Sequence, residues 1–166
     1  MILNIILVVT IVTAIATIVN LIEGKYGKYN KKLPMKVQMT GDLPIIALST
    51  KKGKVLNFIV DSGSNISHIC HEYYKDLEAD LLGTYENGEI AGLGAVNKGI
   101  TMCNAALKDI HGQKYNINLS ISKQLAEVVS NIELSTGVKV HGLLGTDFLK
   151  SYNYIVDFES LEMYKK

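Results

Sequence analysis

Residues 58–66 read FIVDSGSNI, an apolar run that leads directly into a carboxylate, a hydroxyl and a glycine before it turns apolar again. The pattern predicts a β-strand that ends at a partly buried Asp61. Such a carboxylate is hydrogen-bonded, shifted in pKa, or both, because burial disfavours its charged form. Asp61, Ser62 and Gly63 are also common turn residues, so the triplet alone fits a plain turn equally well.

A second unusual segment, VHGLLGTDFL at residues 140–149, follows Asp61 by about eighty residues. Two glycines surround two leucines, and a short helix is predicted over residues 146–152. Thr146 is the expected N-cap of this helix, and Asp147 lies at its positive end, where a carboxylate is stabilising.

Short β-rich runs alternate with turn signals from Val37 onward, which is the pattern of an all-β sandwich or barrel. Lys51-Lys52-Gly53 and the glycine-rich residues 91–95 each predict the tip of a hairpin. Residues 71–77 favour one or two helical turns, whereas residues 122–131 fit a helix or a strand. The predicted strands are residues 43–50, 54–60, 65–70, 84–90, 96–106, 108–110, 113–121, 154–158 and 161–164.

The charge balance argues against a nucleic-acid-binding protein. The chain has 166 residues, which is one domain plus an appendage, and its 17 basic and 16 acidic residues leave a net charge of +1. All of the basic residues are lysines, so no guanidinium group is available to clamp a phosphate. Cys70 and Cys103 are too few for a disulfide framework and fit a reducing compartment.

The first 22 residues carry no charged side chain. As a helix, residues 2–22 would span roughly 30 Å, the thickness of a bilayer core, so residues 1–22 are predicted to be a transmembrane anchor in contact with membrane lipid. A cleavable signal peptide is the rival hypothesis, and the lack of a basic segment before the apolar run weighs against it.

Five lysines follow the anchor within residues 23–36, which we interpret as a juxtamembrane linker. Residues 37–166 are then the folded domain. Because basic residues favour the cytoplasmic side of a membrane, the sequence predicts a single-pass membrane protein with its domain in the cytoplasm.

Taken together, residues 43–164 resemble the retropepsin-like aspartic proteases, the single-domain relatives of pepsin. The family's Asp-Thr/Ser-Gly triplet corresponds to Asp61-Ser62-Gly63, and its apolar-apolar-Gly-x-Asp segment corresponds to residues 143–147. Between them the family has a glycine-rich flap, which residues 91–95 match in order and spacing. The resemblance implies a closed or partly open retropepsin-like β-barrel with a flap hairpin and one short C-terminal helix.

The resemblance also implies a homodimeric aspartic endopeptidase that needs no cofactor and cleaves an extended peptide or protein substrate. The predicted anchor would attach this enzyme to the membrane. Each chain would supply one catalytic aspartate, Asp61, and the two carboxylates would share a proton. Ser62 would lock the loop through its hydroxyl, and Gly63 would let backbone N–H groups approach the carboxylate. The remaining implied site residues are Gly92, Leu93 and Gly94 in the flap, and Gly142, Leu143, Leu144, Gly145 and Asp147 in the structural motif.

The sequence departs from the retroviral members of the family, which carry an Arg in the segment that matches Thr146 and Asp147. Since this chain has no Arg, we expect a weak dimer. A catalytically inactive dimerisation or peptide-binding module of the same fold is the alternative. His68, Cys70 and His71, with Cys103 as the one obvious fourth ligand, match no zinc spacing, and no metal is predicted.

Overall fold

The computed structural model of the protein describes residues 30–40, 42–85 and 99–165. The predicted anchor at residues 1–22 lies outside these residues, and so does the predicted flap tip with Gly92, Leu93 and Gly94. Within the described residues, no helix combines the length and the apolar character needed to cross a bilayer.

The described chain is mostly β, as predicted. A 3₁₀ turn covers Tyr74–Leu77. The strands are β1 (Asn30–Lys36), β2 (Gln38–Thr40), β3 (Leu43–Ser49), β4 (Val55–Val60), β5 (His68–Cys70), β6 (Asp80–Tyr85), β7 (Ile100–Lys108), β8 (Lys114–Ser122), β9 (Gly142–Leu144), β10 (Tyr154–Asp157) and β11 (Glu162–Lys165). The helices are α1 (Leu125–Thr136) and α2 (Thr146–Ser151).

Eight of the strands form one sheet in the order β2-β3-β4-β9-β5-β8-β7-β6, with an additional pairing of β3 with β7. That pairing, between Ser49 and Lys108, closes β3, β4, β9, β5, β8 and β7 into a barrel. The strands β2 and β6 extend beyond the closed ring. The predicted closed barrel is therefore present.

Every strand of the ring contributes to the core inside the barrel. The long strands β7 and β8 alternate between inward and outward side chains, the two-residue period that one buried face requires. The buried side chains, one from each strand in ring order, are Leu48, Phe58, Leu144, Ile69, Leu119 and Leu107.

A second, smaller apolar cluster lies on the other face of the same strands. Ile59 of β4 and Leu143 of β9 pack there against Leu125 and Val129 of α1. The spacing of four residues puts Leu125 and Val129 on one side of the helix, and Gly137 ends it in a left-handed conformation, φ 71°. The expectation of a single short helix was wrong, because α1 forms in the segment where helix and strand patterns were balanced.

The strands β1, β11 and β10 make a separate three-stranded sheet in that order. Residues 30–36, expected to be part of a linker, form β1 and pair with β11. Met35 of this strand is only 2% exposed, and Val37 is also buried while Lys36 between them is exposed. This alternation is typical of a strand, and the nearby lysines obscured it in the sequence.

Most predicted strand boundaries differ from the observed ones by a few residues. The hairpin around Gly53 is present, with the glycine at φ 84° and β3 antiparallel to β4. By contrast, β5 begins at His68 rather than at residue 65, because the preceding residues form a turn after Asp61. The strand expected to begin at residue 84 begins at Asp80.

Candidate active site

Asp61 lies where the chain leaves β4 and crosses to β5. The short strand β9 lies between these two, parallel to β4 and antiparallel to β5. Residues 61–67 must therefore pass over the end of β9 to connect its two neighbours. The Asp61 N–H donates to the Leu144 carbonyl at 2.9 Å, which continues the β4–β9 hydrogen bonding and fixes the start of the loop.

The carboxylate of Asp61 is held by its own loop. Its Oδ1 accepts a hydrogen bond from the Gly63 N–H at 2.8 Å. A Cβ on Gly63 would lie 3.1 Å from the same oxygen, tighter than an ordinary contact. Asp61 is half-buried, whereas Ser62 and Gly63 are exposed on the loop. The loop therefore presents a carboxylate at the surface with one of its oxygens oriented.

Ser64 and Thr146 tie this loop to α2. The Ser64 Oγ donates to the Ile66 carbonyl at 2.7 Å. The Ser64 carbonyl accepts the Thr146 N–H at 2.9 Å and the Thr146 Oγ1 at 3.1 Å. Thr146 is thus not the N-cap of α2, as we expected, because Gly145 occupies that position without a side-chain cap. Its hydroxyl supports the Asp61 loop instead.

Ser67 and Asp147 form a second tie at the far end of the loop. The Asp147 carboxylate accepts the Ser67 Oγ at 2.7 Å on one oxygen and the Ser67 N–H at 2.9 Å on the other. The Ser67 Oγ in turn accepts the Gly145 N–H at 3.0 Å. Asp147, in the first turn of α2, is therefore used as a structural hydrogen-bond acceptor.

Ser64 and Ser67 were missed by the sequence analysis, although both are buried. The one local signal is the presence of two hydroxyl side chains in a segment that leads into an apolar strand. Their partners lie about eighty residues away, so no local pattern identifies them.

Gly142 and Gly145 allow β9 to approach the loop closely. A Cβ on Gly142 would lie 2.3 Å from the His68 carbonyl oxygen and 2.9 Å from the Phe58 ring. A Cβ on Gly145 would lie 2.7 Å from the Ile66 carbonyl oxygen. Both glycines are therefore required by space, since any side chain would collide with backbone atoms.

His68 is an unusual buried group beside the site. Its side chain is 1% exposed, and neither ring nitrogen has a hydrogen-bond partner among the residues that the structure describes. Burial lowers the pKa of the imidazole below its ordinary value of 6.5, although the carboxylates of Asp147 and Asp61 oppose this shift. His68 is therefore held in its neutral form at neutral pH.

This burial predicts a pH-dependent loss of stability that His68→Leu should reduce. Unfolded His68 takes up a proton near pH 6.5, whereas the folded protein does so only at lower pH. In that window the unfolded chain binds more protons, so stability falls as the pH falls. Urea unfolding from pH 7 to pH 5 should show a smaller loss for His68→Leu than for the intact chain. Parallel curves for His68→Leu and the intact chain would contradict the assignment.

The two cysteines lie in different apolar clusters, Cys70 under α1 and Cys103 inside the barrel. Burial raises the pKa of the Cys103 thiol to about 11, and burial also raises the pKa of Cys70. Both thiols are therefore protonated at neutral pH, a form that is a poor metal ligand. Across the described ranges, no three His, Cys, Asp or Glu side chains converge on a common point.

No protein-family model and no curated protein matches the chain. Among solved structures, it is similar to EIAV protease in complex with the inhibitor HBY-793, at 17% identity and a TM-score of 0.44, over 75% of this chain and 92% of that one. It is also similar to a retropepsin-like aspartic protease from Rickettsia conorii, at 16% identity and a TM-score of 0.47, over 80% and 88% of the two chains. Neither similarity assigns an activity or a residue to this chain.

Proposed function

We propose that the protein is a homodimeric aspartic endopeptidase in which Asp61 is the catalytic residue. The proposal rests on the hydrogen bonding of the Asp61 carboxylate. One oxygen is oriented by the Gly63 N–H at 2.8 Å, and the other accepts no hydrogen bond from the described residues. A half-buried carboxylate on a firmly tied loop, with one oxygen unused, is suited to face a second such carboxylate.

Two Asp61 carboxylates brought together by dimerisation would share one proton, because two like charges at close range cannot both persist. The ionised member would take a proton from a water molecule, whose oxygen then attacks the peptide carbonyl carbon. The protonated member would donate its proton to the carbonyl oxygen. Collapse of the tetrahedral intermediate would break the C–N bond, with a proton transferred to the leaving nitrogen.

The remaining features of the proposal come from the sequence. Gly92, Leu93 and Gly94 would form a flap tip over the substrate, and Ser62 would contact the second chain. The anchor at residues 1–22 would confine the domains to a membrane plane, with the domain on the cytoplasmic side. Because no Arg is available to bridge two chains, this confinement would favour pairing by raising the effective concentration.

Activity should depend on assembly, since one chain holds half of the site. The specific activity of the full chain in detergent should rise with protein concentration in the micromolar range. A tandem fusion of one intact chain and one Asp61→Asn chain should be nearly inactive. If this fusion kept half of the activity of a fusion of two intact chains or more, each chain would be acting alone.

A peptide-binding or dimerisation module that does not cut is the second candidate, because the exposed edge strand β6 could hold an extended peptide without catalysis. Incubation with peptides in ¹⁸O-labelled water separates the two functions. A peptidase places ¹⁸O in each new carboxyl group, whereas a binding module returns intact, unlabelled peptides.

A further inference from the structure

A groove of ≈ 590 Å³ lies at the junction of β8 and α1, beside the β6–β7 pair and the turn after β5. Tyr74, Leu81 and Ile121 supply apolar surface, and the hydroxyls of Thr101 and Ser120 supply polar surface. Leu81 is 61% exposed, while Ser120 is only 2% exposed. This mixture of apolar and hydroxyl groups suits a peptide segment.

The described lining residues of the groove include a lysine and no carboxylate. This lysine is Lys123. None of the ion pairs found in residues 30–40, 42–85 and 99–165 involves Lys123. No described lining residue therefore compensates the positive charge that the groove offers to a ligand.

Among the described residues, a strand edge without a pairing partner borders the same groove. β6 is the last strand of its sheet, it pairs with β7, and all six of its residues are exposed. Leu81 of this strand lines the groove. The outer edge of such a strand presents backbone N–H and C=O groups that an extended peptide can pair with.

The groove is connected to the loop that carries Asp61. It is lined by β8, the third strand from β4 across β9 and β5. The Ser120 N–H also donates to the Ser67 carbonyl at 2.9 Å, which joins the groove to the loop that carries Asp61.

From these observations we infer that the groove binds an acidic side chain of an extended peptide, with Lys123 as the opposing charge. The inference rests on the proposed function for its use of a peptide substrate. It adds that the substrate is an acidic peptide and that the side chain of Lys123 selects it.

The test uses full-length Asp61→Asn protein in detergent and a library of random-sequence decapeptides. Peptides that the protein retains should be enriched about threefold in Asp and Glu, the scale of a partly exposed ion pair. Lys123→Glu in the same background should reverse the selection towards Lys and Arg. Lys114→Glu, an exposed lysine at the other end of β8, should leave it unchanged.

The intact chain is then given the same library, and the cleaved products are sequenced. The cleaved peptides should be enriched in acidic residues. Retention of acidic peptides through Lys123 without any cleavage would remove the proposed peptidase and leave the groove inference standing. Cleavage without an acidic preference, equal selection by the two lysine variants, or no retention because other residues of the chain cover the groove would each overturn it.

Discussion

Replacement of Asp61 by Asn should lower peptide hydrolysis between about a hundredfold and ten-thousandfold, the usual range of general acid–base catalysis. The amide cannot accept the proton of the attacking water, nor can it share a proton with a second carboxylate. The side chain fills nearly the same space, and its carbonyl oxygen can still accept the Gly63 N–H that now reaches Asp61 at 2.8 Å. The fold should therefore survive.

Two controls accompany the measurement of peptide hydrolysis. Urea unfolding of Asp61→Asn should agree with that of the intact chain within about 0.5 kcal/mol, as for other substitutions without a core contact. Asp42→Asn, at an exposed carboxylate on the β2–β3 turn, should change neither hydrolysis nor unfolding. An Asp61→Asn chain that kept most of its hydrolysis would show that the catalytic assignment is wrong.

Gly142→Ala should cost about 3 kcal/mol or more in the free energy of unfolding, the upper end of the range for overpacking. The new methyl group would lie 2.3 Å from the His68 carbonyl oxygen and 2.9 Å from the Phe58 ring. Neither contact can relax easily, because β9 is paired on both sides, with β4 and with β5. Urea unfolding followed by circular dichroism measures the loss.

Gly112→Ala provides the matched control, since it makes the same chemical change in open space. Gly112 has φ 79°, and a Cβ added there would have no atom within 4 Å. The substitution should therefore lower the free energy of unfolding by about 1–2 kcal/mol from backbone strain alone. If Gly142→Ala were as stable as Gly112→Ala, the close approach of β9 to β5 would not be a constraint on the fold.

The sequence was sufficient for the barrel and for the location of its unusual carboxylate. Two-residue alternation identified the long strands, and an apolar run that ends in Asp61 marked one place where a strand stops at a charged group. The β1 strand was missed because lysines before Met35 resembled a linker. The sequence did not decide between a helix and a strand for α1. Its buried residues, Leu125 and Val129, indicate a helix only once the sheet face that they cover is known.

The supports of the site could not be predicted for a different reason. The bonds from Ser67 to Asp147 and from Thr146 to Ser64 join segments about eighty residues apart. Local propensity carries no information on such pairs, and hydroxyl residues in a turn have many possible partners. His68 has no hydrogen-bond partner among the described residues. Its burial depends on how the strands pack around it, so the local sequence does not predict it.

The position of β9 between β4 and β5 also bears on how the protein is made. During synthesis Asp61 is translated well before Gly142, so the nascent chain carries the carboxylate without the strand that completes its surroundings. Pairings between such distant segments form slowly, because a long loop must close before they can contribute. On the ribosome the Asp61 loop therefore stays unassembled until residues 142–147 have been added, and any peptidase activity would begin only after that point.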